Sequence, residues 1–123
     1  MDKAQALHKF WSSFGLSAYD ELAVPDDAQM PYITYSVSTD SLGNPLPLSG
    51  SIWYRETLWK NISNKADEIA QVVGEHGFYK AQLDDGYMWI TKGTPFAQRM
   101  SDPNDDMIKR MYINIMVEFL TAY

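Results

Sequence analysis

Pro31-Tyr32-Ile33-Thr34-Tyr35-Ser36 is the stretch whose reading decides the fold. Proline lacks an N–H and fixes φ, so Pro31 suits the first residue of a strand and not its middle. Behind it Ile33, Tyr35 and Val37 alternate with Thr34, Ser36 and Ser38, which predicts a half-buried strand over 32–38. Ahead of it, Val24-Pro25 through Met30-Pro31 reads as an irregular connection. Residues 16–24 fit either a short strand or an extended arm. Further back, Ala4, Leu7, Trp11 and Phe14 recur three or four apart, with Phe10 widening the stripe, and predict a helix over 2–14. Asp2 suits the positive end of that helix and Gly15 its stop.

Downstream, Thr39 to Ser51 is crowded with turn residues and reads as a loop, yet it carries Leu42, Leu46 and Leu48, more apolar surface than a solvated loop needs. Residues 52–60 return to strand, with Trp53, Arg55, Thr57 and Trp59 opposite Ile52, Tyr54, Glu56 and Leu58. Neither face is plainly polar, so the strand is expected to be central or to meet another subunit. Ile62, Ala66, Ile69 and Val73 predict a helix over about 62–76, capped by Asn61 or Ser63 and ended by Gly74 and Gly77. Strands at 78–83 and 87–92 flank Asp84-Asp85-Gly86, a connection too short to be anything but an antiparallel hairpin. Lys92 to Asp106 reads as a second polar connection, containing Pro95, Phe96 and Met100. In the last strand, 107–122, Met111, Ile113, Ile115, Val117 and Phe119 oppose Tyr112, Asn114, Met116, Glu118 and Leu120. The fold class is therefore α+β: a single domain over 1–123, with a mostly antiparallel or mixed sheet flanked by two helices.

At 123 residues the chain is large enough for one core and too small for two. Aromatic residues reach 14%, more than a core of this size needs, so some rings are expected at an interface. A net charge of -6 argues against a broad nucleic-acid-binding face, which requires clustered Lys and Arg. The absence of cysteine removes disulfides, thiolate nucleophiles and Cys-ligated zinc. No apolar run approaches the ~20 residues of a membrane span. Met1-Asp2-Lys3-Ala4 opens no signal-peptide core, so cytoplasmic synthesis is the expectation.

Catalytic patterns fail one by one. His8 and His76 lie on the polar sides of different helices, and Ser12 and Ser13 are not on a G-x-S-x-G elbow. Asp84-Asp85 and Asp105-Asp106 sit in turns, where Asp caps local backbone N–H groups. Asp102, Asn104 and Asp106 imitate the start of a calcium loop, but Met107 replaces its glycine and Ile113 its bidentate acid. The glycines never take a phosphate-cradle spacing. Tyr54, Trp59, Tyr87 and Trp89 offer the rings of a base-stacking platform, but aromatics alternating on strands are more often cross-strand pairs. No enzyme, cofactor or metal site is expected.

Taken in order, the helix, the proline-started strand Pro31 to Ser36, the strand Ile52 to Trp59, the helix Asn64 to His76 and the closing strand Tyr112 to Leu120 resemble the small tail-terminator, or head–tail joining, proteins of long-tailed bacteriophages and prophages. The segment from Tyr87 to Met100 departs from that pattern. The resemblance implies a virion structural protein without catalytic residues, made in the host cytoplasm. It implies a hexameric ring at the neck that caps the tail tube and joins it to the head. The implied partners are other copies of the chain, the tail-tube protein and a head-connector protein, with no specific nucleic acid and no membrane. Leu42, Leu46, Leu48, Trp53, Trp59 and Phe96 are the expected interface residues. A second reading is a small cytoplasmic α+β module that binds a ligand or a protein without catalysis.

Overall fold

Two helices, α1 (Lys3–Ser12) and α2 (Lys60–Gly74), accompany six strands: β1 (Ser17–Asp20), β2 (Tyr32–Tyr35), β3 (Leu46–Arg55), β4 (Tyr79–Leu83), β5 (Gly86–Ser101) and β6 (Ile108–Thr121). They are drawn from a computed structural model that describes residues 1–39 and 45–121. The strands form one sheet in the order β1-β2-β3-β6-β5-β4, antiparallel except for the parallel pair β1–β2. This is the expected single-domain α+β architecture.

Strand β6 occupies the middle. It pairs with β3 from Ile108 to Val117 and with β5 from Lys109 to Thr121. Its alternation is strict: Met111, Ile113, Ile115, Val117 and Phe119 are buried, and the residues between them are half-buried. Through the register, the buried face continues into Leu48, Ile52 and Tyr54 of β3 and Met88 and Ile90 of β5. Both helices lie on that face. Helix α1 packs its buried Ala6, Leu7, Phe10 and Trp11 over β1, β2 and β4, and α2 packs Ile62, Ala66, Ile69 and Val73 over β3 to β6. Lys65 Nζ on α2 donates to the Phe14 carbonyl just beyond α1, at 2.6 Å, and ties the two together.

The start of α1 is built as its sequence suggests. Asp2 is the N-cap and forms a reciprocal capping box with Gln5. Helix α2 differs from the sequence reading: it begins at Lys60, and its N-cap, Trp59, makes no side-chain cap hydrogen bond. Asn61, an expected cap, instead donates to the Glu56 carboxylate at 3.0 and 3.1 Å. The expected strand 52–60 also stops at Arg55, so Trp59 does not continue the Trp53 face.

Two expected loops are largely strand. Leu46 to Ser51 belongs to β3, and Leu48, read as a loop residue, is core at 6% exposure. Pro47 is tolerated because of where it falls. Ser49 directs its N–H to Ser36 Oγ on the β2 side, and Pro47, two residues earlier, would point the same way, beyond the end of the β2 register. Leu42 lies outside the described residues. The second correction is 92–106: β5 runs through Gly93 and Pro95 to Ser101. These apparent breakers form a bulge, in which 93–96 stand opposite Asn114 alone, between the pairs Lys92–Ile115 and Ala97–Ile113. Asn114 Nδ2 holds the bulge by donating to the Pro95 carbonyl at 2.8 Å.

Gly50 shows how tightly α1 is seated. A Cβ there would lie 2.6 to 2.9 Å from three atoms of the Trp11 ring. That ring is fully buried and stacked beside Tyr35 at 6.2 Å, so it cannot swing away. Gly50→Val should therefore destabilise the protein by about 1–3 kcal/mol through overpacking. The check is the urea midpoint at unchanged slope; an unaltered midpoint would mean that α1 is not fixed against β3.

Candidate functional site: the open face of the sheet

With both helices on one side, the other side of the sheet carries no secondary-structure layer among the described residues. The alternation that buries Ile52 and Ile113 turns Tyr32, Trp53, Arg110, Tyr112, Trp89 and Met116 to this open face. Tyr19 on β1 meets the ring of Tyr32 edge-on at 5.8 Å, and Tyr32 lies 6.4 Å from Trp53. On the far side, Trp89 stacks on Phe78 at 4.6 Å. Rings thus run across β1, β2 and β3 at one end of the sheet, and Trp89 with Phe78 forms a separate pair at the level of Glu118.

Arg110 is the centre of this face. Its guanidinium lies 4.7 Å from the Trp53 ring and 5.6 Å from that of Tyr112, close enough for cation–π attraction. Its Nε donates to Ser51 Oγ at 3.0 Å, and Trp53 Nε1 donates to Thr34 Oγ1 at 2.9 Å. Hydrogen bonds therefore fix both side chains within the chain itself. Among the described residues no carboxylate pairs with Arg110. Beside it is a pocket of about 160 Å³ lined by Trp53, Met100, Ser101, Asp102, Pro103, Ile108 and Arg110. The one acid in its lining, Asp102, accepts from the Asn104 N–H at 2.8 Å, and Asp105, in the same connection, accepts from Arg55 at 2.7 Å.

The residues expected at an interface separate. Trp53 is on the open face. Leu46, Trp59 and Phe96 pack from the side against the core, and Leu48 is within it. Trp59 lies between the Arg99 guanidinium, at 5.1 Å, and Lys109 Nζ, at 5.7 Å. Phe96 sits in the β5 bulge near Lys92. The four aromatics of the stacking-platform idea divide likewise, with Tyr54 buried under the helices and Tyr87 and Trp89 on the open face. Sequence reasoning passed over Arg110 and Tyr112, although their place opposite the apolar row of β6 was the available signal.

Polar clusters elsewhere have structural roles. His8 Nδ1 is 2.9 Å from the Tyr35 hydroxyl, and Ser12 Oγ is 3.2 Å from His8 Nε2, so His8 links α1 to β2. Ser12 lies within a helix, not on the sharp turn that lifts a nucleophilic serine. Burial, followed by the nearby Asp20 charge, raises the Tyr35 phenol above its ordinary value. A cavity of about 460 Å³ is lined by Asp2, Lys3, Ala4, Thr39, Asp84 and Asp85. There Asp2 caps α1 and Asp84 meets the Met1 amino group. Among the described residues no three metal-ligating side chains converge, and no helix is long and apolar enough to cross a membrane. No protein-family model and no curated protein matches this chain.

The pocket rim has an acid-sensitive support. The Met107 N–H, and then the Arg55 side chain, hold the Asp105 carboxyl below its ordinary value. A carboxyl lowered in the folded state contributes stability above its unfolded pKa and loses it as pH falls through the folded one. Asp105→Asn should therefore melt below wild type at neutral pH, with the gap closing once pH falls below the ordinary aspartate range. Melting curves across pH check this; a gap independent of pH would show that Asp105 supplies no charge-dependent support.

Proposed function

We propose that this chain is a structural subunit that assembles through the open face of its sheet, as a tail-terminator-like protein forming a ring at the head–tail junction of a phage or prophage. The observation that carries the reading is that face: a row of Tyr and Trp, with Met and one Arg, in no ion pair among the described residues, held over the central tryptophan. Aromatic residues, Met and Arg are enriched where proteins meet, and Lys, Glu and Asp are depleted there. Among the described charged residues on this face, Lys80, Glu118 and the pocket's Asp102 are of the depleted kinds.

The edges of the sheet support assembly through a face. Edge strand β1 has four residues and β4 has five, and the outer side of β5 beyond the β4 register, from Thr91 to Ser101, is interrupted by the bulge, so among the described residues no long regular edge templates pairing with another chain. Interfaces that join unlike patches close into rings when their rotation allows. The element order supplies the finer reading of a tail terminator, with the tail-tube and head-connector proteins as further partners.

Light scattering on the chain alone and on assembled tail tubes from the same genome tests this. The expected outcome is a particle of hexameric mass, formed alone or only on tubes, and lost in Trp53→Asp with the far-UV spectrum unchanged. A chain that stays monomeric in both conditions, or a Trp53→Asp variant that caps tubes normally, would overturn it. A monomer that binds some other protein through Trp53 would favour the binding-module reading.

A further inference from the structure

Leu22 is the most exposed large hydrophobic residue among those described, at 91%. It is not on a loose arm. The Glu21 N–H donates to the Tyr35 carbonyl at 2.9 Å, the Leu22 N–H to Asp20 Oδ1 at 3.0 Å, and the Ala23 N–H to the Asp20 carbonyl at 2.9 Å. These bonds hold the turn closed with leucine at its tip. Acids surround it in sequence: Asp20 and Glu21 before, Asp26 and Asp27 after. A single exposed leucine is ordinary. One held out on a bonded acidic turn is suited to docking, because little backbone entropy remains to be lost on binding.

The same chain carries a complementary receptor. The open-face pocket is about 160 Å³, room for one branched aliphatic side chain, with Trp53, Met100 and Ile108 as apolar walls. At its side stands the Arg110 guanidinium, fixed through Nε and, among the described residues, in no ion pair; Asp102 of the lining accepts from the Asn104 N–H, and Asp105 nearby is paired with Arg55. We infer that the Asp20–Ala23 turn of one subunit docks in the open-face pocket of a second copy, Leu22 entering between Trp53, Met100 and Ile108 while the Glu21 carboxylate meets Arg110. This rests on the assembly reading above and names its contact. The occupant is a second copy because the Glu21 carboxylate beside Leu22 complements the one cation in the pocket lining, Arg110, while Leu22 complements its apolar walls. The turn cannot serve its own pocket. Asp20 aligns with Tyr35 and Gly50, whereas the pocket lies three residues away along the same strands, at Trp53 and Arg110. Turn and pocket are different patches, so each copy offers one of each, and the contact can propagate around a ring.

Leu22 and Met100 are both exposed, so Leu22→Asp and Met100→Asp should fold normally. Each variant should raise the concentration for half-assembly by at least about tenfold. An equimolar mixture of the two retains one good turn and one good pocket, and should stop at the heterodimer. Glu21→Arg and Arg110→Glu should each weaken assembly, and the double variant should restore it. Sedimentation velocity and light scattering, with and without tail tubes, read all arms. If wild type forms rings and both aspartate variants do so equally well, this contact is wrong and the assembly reading stands. If wild type remains monomeric up to about 1 mM and on tubes, both are wrong.

Discussion

Strand β6 is the constraint on which the rest depends. It is the only strand flanked by two long partners, and its alternate residues, from Met111 to Phe119, supply the floor of the core. Side chains on a strand alternate with a period of two, so a slip of one residue against either neighbour would send that floor to the open face. Ten consecutive pairs with β3 make such a slip costly on one side, and the Asn114-held bulge absorbs irregularity on the other. The helices then have one apolar surface to cover, and both cover it.

That choice leaves the second face for other work. An open sheet face meant only for water would carry the Lys, Glu and Thr that alternate strands usually show. Here the end of that face around Trp53 carries Tyr32, Tyr112 and the Arg110 guanidinium, with Arg110 held by Ser51 and Trp53 by Thr34. The hydrogen bonds order those side chains within the chain itself, so little of their rotamer freedom remains. The edge strands β1 and β4 are short, and the outer side of β5 beyond β4 is broken by its bulge.

The segments misread as loops share a physical reason. Pro47, Gly50, Gly93 and Pro95 are turn residues by composition, yet each sits where its peculiarity costs little. Pro47 has its missing N–H aimed past the end of β2, and Gly50 leaves space for the Trp11 ring. Gly93 lies against the Asn114 backbone, where a Cβ would meet atoms at 2.9 Å, and Pro95 is held in the bulge. None of these accommodations is local. Each depends on what another part of the chain brings to the site, which no window of sequence displays. The candidate surface was half legible for the same reason. Trp53 stood out by its neighbours, but Trp59 and Phe96 appeared equivalent to it until the end of β3 at Arg55 and the bulge in β5 turned them toward the core.

What the sequence by itself determined is everything carried by period and by short-range chemistry: the two apolar helix stripes, the Asp2 cap, the hairpin at Asp84-Asp85-Gly86 and the alternation of β6. These follow from backbone geometry over a few residues and need no partner. The tertiary structure alone decided which strands lie side by side, that both helices share one face, and that Arg110 stands beside a leucine-sized pocket, in no ion pair among the described residues, while Leu22 stands exposed on its turn. Those facts arise from pairings between residues tens of positions apart, where burial of one face dictates what the other must show.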